Sequence, residues 1–151
     1  MAKMRAFIID DSTAARHMLR RILADHGSFE IAGEAESALS GVIGVEEAQP
    51  DVVILEACIG GDMPANKIIM EIKRICPETA IVLSADTAKA EKALPLTFIG
   101  ADDFFEKPLI KAKVYRTLND IMRKKKFDIK VENPFVIKNN IKERETRRKE
   151  D

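Results

Sequence analysis

Five times along this chain a short apolar run gives way to a segment with apolar residues at helical spacing, and that alternation restricts the fold more than any other feature of the sequence. A strand that is apolar on nearly every residue is one buried on both faces, as in a parallel sheet covered by helices. Met4 to Ile9 is the first such run. Ser12 or Thr13 can then cap a helix whose Ala15, Met18, Leu19, Ile22 and Leu23 share a face, with Gly27 as its stop. Phe29 to Glu34 is a second, shorter strand. Ser37 to Gln49 has helical spacing weakened by Gly41 and Gly44, and Pro50 marks its end. Asp51-Val52-Val53-Ile54-Leu55-Glu56 carries the strongest strand signal in the chain.

The second half repeats the scheme. A Gly- and Asp-containing loop, Ala57 to Pro64, opens a helix bearing Ile68, Ile69, Ile72 and Ile75, which Pro77 closes. Thr79 to Ser84 is a fourth strand, followed by a short helix around Thr87 to Leu94. Asp102 to Phe105 is a fifth, and Lys107-Pro108 leads into a last helix with Val114, Leu118, Ile121 and Met122 at helical spacing. Right-handed crossovers between such units produce an α/β doubly wound sheet, with any active site outside the carboxyl ends of the strands.

Its 151 residues suffice for one well-buried core and are few for two domains of ordinary size. Residues 1–124 are therefore expected to form the domain and 125–151 a basic extension, partly disordered or docked on a partner. Charge divides at nearly the same place. Residues 1–122 hold 14 Lys and Arg against 19 Asp and Glu, a net of −5, whereas residues 123–151 hold 11 against 6, a net of +5. Within the extension, Phe127-Asp128-Ile129-Lys130-Val131 alternates like a strand before Asn133-Pro134 interrupts it. The 29 residues after Met122 are few for an attached output module. No apolar run approaches the roughly 20 residues that cross a bilayer, and the amino-terminal segment has no signal-peptide pattern, so a cytoplasmic location without membrane insertion is expected. Cys58 and Cys76 lack disulfide or zinc-ligand spacing, and His17 and His26 have no ligand partners nearby in sequence.

Chain positions at the strand ends meet in one crevice of such a fold. Here they are Asp10 and Asp11, then Glu56, Ser84 and Lys107. Clustered carboxylates repel one another unless a cation intervenes. Magnesium suits them, because it takes hard oxygen ligands from one or two carboxylates and bridges to phosphate oxygens. Lys107 adds a positive point and Ser84 a hydroxyl donor for a phosphoryl oxygen. Each residue has a structural alternative: a helix cap, a buried hydroxyl, a solvated turn. Their coincidence at the ends of strands one, three, four and five is what argues for a site.

The blocks Phe7-Ile8-Ile9-Asp10-Asp11-Ser12, Pro50-Asp51-Val52-Val53-Ile54-Leu55-Glu56, Ile81-Val82-Leu83-Ser84-Ala85 and Phe104-Phe105-Glu106-Lys107-Pro108-Leu109 resemble the signature segments of response-regulator receiver domains, over about residues 4 to 124. The resemblance implies a flavodoxin-like (βα)5 fold with strand order 2-1-3-4-5 and a role in phosphorelay signalling. It also implies that Asp10, Asp11 and the backbone carbonyl of Cys58 are magnesium ligands, and that the position of Glu56 accepts phosphate from a histidine kinase. Ser84 and Lys107 would contact the phosphoryl group, Phe104 would report the state, and Lys107-Pro108 would be cis.

Glu56 departs from the family, which uses aspartate there. The extra methylene displaces the carboxylate by about 1.5 Å, and in-line phosphoryl transfer is sensitive to misplacement on the order of 1 Å. Asp51 begins the strand and is no substitute, lying roughly 16 Å away at about 3.3 Å per residue. A stand-alone receiver acting through protein contacts without phosphorylation is expected, with Glu56 a mimic of aspartyl phosphate that reaches Lys107 or Ser84. The alternative is a receiver whose Glu56 merely pairs with Lys107 and holds one shape. Magnesium binding is expected to be weakened. The loop Ala57 to Pro64 carries its glycines early, and Phe104 replaces a tyrosine, so it cannot donate a hydrogen bond. Expected partners are a histidine kinase or a downstream effector, with a homodimer through the face of the fourth helix, fifth strand and fifth helix as a further option. Two rivals come from other classes. A haloacid-dehalogenase-like phosphatase or phosphotransferase needs Asp-x-Asp after the first strand, where this chain has Asp10-Asp11-Ser12-Thr13. Binding of nucleic acid or an anionic surface through the tail is weakened by Glu143, Glu145, Glu150 and Asp151.

Overall fold

The computed structural model describes residues 2–61 and 63–130, the last five of these by backbone alone. Five strands, β1 (Met4–Ile9), β2 (Phe29–Ala35), β3 (Val52–Glu56), β4 (Ala80–Asp86) and β5 (Asp103–Lys107), alternate with α1 (Thr13–His26), α2 (Ala38–Ala48), α3 (Ala65–Ile75), α4 (Ala93–Thr97) and α5 (Lys111–Lys130). All strand pairs are parallel, in the order β2-β1-β3-β4-β5. This is the doubly wound topology read from the alternation. By contact the chain divides into two units, residues 1–117 and 118–151. The second contributes the carboxyl-terminal part of α5 to the described residues.

Local chemistry explains the boundaries. The Ser12 side chain accepts from the Ala15 N–H and caps α1, settling the choice between Ser12 and Thr13, while Gly27 closes the helix in the left-handed conformation, φ 82°. Ser37 caps α2 in the same way and Gln49 ends it at φ 48°, just before Pro50. Every residue of β3 is buried, as a central strand covered on both faces requires. One core cluster joins Phe7, Ile9, Val53, Leu55, Ile81 and Leu83 of the sheet to Val45 of α2 and to Ile68, Ile69 and Ile72 of α3.

Four expectations are corrected. First, β4 runs two residues past Ser84, and β5 runs to Lys107 rather than stopping at Phe105. Second, the single helix expected over Thr87 to Leu94 is a 3-10 helix, Thr87–Lys92, followed by the five-residue α4. Pro95 is the reason, because its ring would clash with the carbonyl of Glu91 in a continuous α-helix but is tolerated in the first turn of a new one. Third, Phe127 to Lys130 lies in α5, not in a strand, since no breaker precedes Asn133-Pro134 and the Lys run favours helix. Val131 and the rest of the extension lie outside the described residues.

Fourth, Gly41 and Gly44 are packing devices rather than weak points. A Cβ on Gly44 would lie 2.5 Å from Cζ of Phe7, and one on Gly41 2.7 Å from Cδ1 of Ile9, so their absence lets α2 approach β1. Gly44→Ala is therefore expected to destabilise the protein by about 1–3 kcal/mol, the cost of overpacking, although an exposed helical Gly→Ala gains up to about 1 kcal/mol. Urea unfolding checks this. Combining Gly44→Ala with Phe7→Leu should recover part of the loss, and a stabilised Gly44→Ala would refute the close-packing account.

Candidate functional site

Register decides which side chains meet. In the parallel ladders Ile8 pairs with Ile54, Glu56 with Ser84, and Ser84 with Phe105. Side chains alternate faces with a period of two, so Glu56, Ser84 and Lys107 emerge on one face of the sheet, and Asp10 continues the row from Ile8. Three of these polar residues are deeply enclosed: Asp10 is 1% exposed, Glu56 6% and Ser84 0%.

Lys107 is the hub. Its Nζ lies 2.6 Å from Oε2 of Glu56 and 3.1 Å from Oδ2 of Asp10. Ser84 Oγ donates to the same Glu56 Oε2 at 3.4 Å, and the Cys58 N–H donates to Glu56 Oε1 at 3.2 Å. Asp10 Oδ1 accepts from the Ser12 N–H at 2.8 Å. Arg16 donates to the Asp10 main-chain carbonyl and pairs with Glu34 at 3.3 Å. Among the described residues no buried side-chain polar atom lacks a hydrogen-bond partner. Burial alone would lower the affinity of Lys107 for its proton, but hydrogen bonds and charge from Glu56 and Asp10 outweigh it and raise the pKa above the ordinary lysine value. The ammonium is held charged.

Asp11, Glu56, Cys58 and Lys107 also line an open cavity of about 500 Å³, with Met18, Pro108 and Leu109 as apolar wall and Asp86 and Lys89 at the rim. Asp11 is exposed, and its Oδ2 accepts from the Gly60 N–H at 3.3 Å, which fastens the loop after β3 to the acidic pair. Gly61 in that loop has φ 109°, a conformation that favours glycine. Phe104 is half-buried against the core cluster. The Lys107-Pro108 bond is cis. Asp51 plays no part here; its carboxylate accepts from the Arg5 N–H at 2.7 Å at the other end of β3. His26 is stacked edge-on between Phe29 and Tyr115. Cys58 and Cys76 are free thiols.

Sequence reasoning missed three contributors. Arg16 donates from its guanidinium to the Asp10 carbonyl and Gly60 from its N–H to the Asp11 carboxylate, and nothing in their spacing marks either. Thr87 is the third: its hydroxyl donates to the Lys107 carbonyl at 2.7 Å.

Receiver domains typically take Mg2+ at this acidic pocket. Of the expected ligands, Asp10 is engaged by Lys107 and the Ser12 N–H, whereas Asp11 is exposed at the open cavity that Cys58 also lines. Lys107 occupies the position between Asp10 and Glu56, and among the described residues no three His, Cys, Asp or Glu side chains are grouped to hold a metal. The residues present fit a weakened magnesium site in which Asp10, Asp11 and the Cys58 carbonyl would be the ligands, with Lys107 competing for Asp10.

Comparison with known proteins agrees with the architecture. A family model for the response regulator receiver domain matches residues 6–119. The chemotaxis protein CheY of Thermotoga maritima is 29% identical over 119 residues, covering 79% of this chain and 98% of that protein. A protein-glutamate methylesterase/protein-glutamine glutaminase of Oceanobacillus iheyensis is 33% identical over 130 residues, but the match covers 83% of this chain and only 36% of that protein. Among solved structures, NtrX of Brucella abortus in complex with ADP superimposes with a TM-score of 0.79 at 25% identity, covering 87% of this chain and 30% of NtrX. The REC domain of AraT from Geobacillus stearothermophilus gives 0.77 at 16% identity, covering 84% and 98%. The match to the family model and the pocket at the strand ends make this chain a member of the response regulator receiver domain family, a family of signalling modules in two-component systems.

Proposed function

We propose that this receiver signals without being phosphorylated, with Glu56 standing in for aspartyl phosphate and the output passed on by protein contacts. One observation carries the reading. A single carboxylate oxygen of Glu56 is within reach of both Lys107 Nζ, at 2.6 Å, and Ser84 Oγ, at 3.4 Å, the two groups that contact the phosphoryl group in this family. An aspartate, shorter by about 1.5 Å, would leave that space to phosphate. Phosphoryl transfer to Glu56 would require its nucleophilic oxygen to leave a buried ion pair, and breaking such a pair costs on the order of 3–5 kcal/mol.

Residues 1–124 act as the receiver and 125–151 as an appended extension in this reading. Partners are a kinase or an effector protein, met on the face of α4, β5 and α5, where Leu94, Phe98 and Ile110 are exposed; self-association through the same face is the alternative use. Magnesium binding at Asp10, Asp11 and the Cys58 carbonyl is weakened in this reading, because Lys107 already engages Asp10 and Glu56. No helix among the described residues is long and apolar enough to cross a membrane, which accords with a cytoplasmic site of action. Membership of the receiver family leaves the phosphatase reading without support, and the anionic-surface reading rests on a tail mostly outside the described residues.

The direct test is incubation with acetyl phosphate and magnesium, read by intact mass. Native protein is expected to gain nothing, while Glu56→Asp, which restores the family acceptor, gains one phosphoryl group. A stoichiometric adduct on native Glu56 would overturn the proposal.

Partner capture from the cell of origin separates a signalling mimic from an inert lock. Glu56→Ala should lose what native protein and Glu56→Gln retain in part; equal capture by all three would mean that position 56 does not set the state.

The raised pKa of Lys107 adds a pH dependence of definite sign. A group whose pKa is higher when folded stabilises the fold fully below its ordinary pKa, 10.5 for lysine, and loses that contribution as pH climbs through its own elevated value. The difference in melting temperature between native protein and Glu56→Gln should therefore stay flat up to about pH 10 and shrink above it. A difference that instead grows with alkalinity would contradict the ion-pair assignment.

A further inference from the structure

The segment after β4 is held to the pocket in an unusual way. Its 3-10 helix, Thr87–Lys92, buries no residue and has no side-chain cap at Asp86, and α4, which follows from Ala93, likewise has none at Lys92. Residues 87–92 themselves are held by neither apolar burial nor a side-chain cap; the buried Ala93, whose N–H bonds back to the Ala90 carbonyl, anchors their far end only. The β4–β5 ladder ends at the Asp86–Lys107 pair, and one position further on the Thr87 hydroxyl donates to the carbonyl of that same Lys107 at 2.7 Å. A side chain supplies the next rung of the ladder.

Lys107 is also the residue whose ammonium is gripped by Glu56 and Asp10. Its main chain and its side chain thus face two different parts of the molecule, the uncapped segment and the acidic pocket. A displacement at Glu56 that lets the ammonium go changes the restraint on the end of β5, and Thr87 is the group that hands this change to the 3-10 helix. Just beyond lie Leu94, 55% exposed, and Phe98, 86% exposed.

We propose that Thr87 is a positioning residue that couples the Glu56–Lys107 ion pair to the segment 87–97. The proposal rests on the reading of Glu56 as the group that sets the state, and it assigns the transmission to a hydroxyl that neither the strand pattern nor the family signature marks.

Hydrogen exchange of the amides of residues 88–94 in the full chain tests it. Thr87→Val keeps the shape and removes the hydroxyl, and is expected to speed exchange there about fivefold, the factor that a hydrogen bond of ordinary net strength represents. Thr87→Ser restores the hydroxyl and should return exchange to the native rate, which a merely steric role would not do. Glu56→Ala should speed exchange of the same amides in the native background and add nothing when Thr87 is already Val. Glu56→Gln serves in its place if the alanine variant fails to fold. Unchanged exchange in Thr87→Val, failure of Thr87→Ser to restore it, or an equal Glu56 effect with and without the hydroxyl would overturn the coupling. Partner capture that responds to Glu56 variants would then still leave the reading of Glu56 standing, so the two failures are distinguishable.

Discussion

Two buried carboxylates share one ammonium, and the carboxyl-terminal edge of the sheet is organised around that fact. Removing Asp10 and Glu56 from water is costly unless each is paired and its remaining lone pairs are hydrogen-bonded. Lys107 meets both, and the Ser12 and Cys58 N–H groups and the Ser84 hydroxyl supply the rest. The strands bearing these groups are fixed by a core that is apolar and close-packed, so the polar cluster inherits its geometry from the packing beneath it. Breaking the pair would strand charge inside the domain rather than merely remove one contact.

The same interaction is what the proposed reading of Glu56 rests on. An aspartate acceptor leaves room for a divalent cation and a phosphoryl group, two external ligands that together set the charge balance. In the proposed reading the longer carboxylate of Glu56 takes up the Lys107 ammonium at 2.6 Å, and one ammonium then stands against the carboxylates of Asp10, Asp11 and Glu56, so the pocket stays acidic.

Much of the architecture was legible because its signals are local and repeated. The apolar runs of β1, β3 and β4, the helical spacing in α1 and α3, and the stops at Gly27, Pro50 and Pro77 each follow from burial, periodicity or backbone chemistry read within a few residues. Less legible was whatever depends on distance across the fold. Gly41 and Gly44 look like helix weakeners until Phe7 and Ile9 are seen beneath them. Pro95 could have warned that the helix after β4 would be divided, since its clash with the carbonyl four residues back is a local rule.

By itself, the sequence determined the alternation of strands and helices and the presence of Asp10, Asp11, Glu56, Ser84 and Lys107 near strand ends. Those are matters of residue type and spacing along one dimension. Only the tertiary structure decided that Glu56 meets Lys107 and Ser84 together, that Asp11 turns to Gly60 instead, and that Thr87 reaches the Lys107 carbonyl. Such contacts join residues from separate strands and loops, and their lengths are set by ladder register and core packing, which no single stretch of chain encodes.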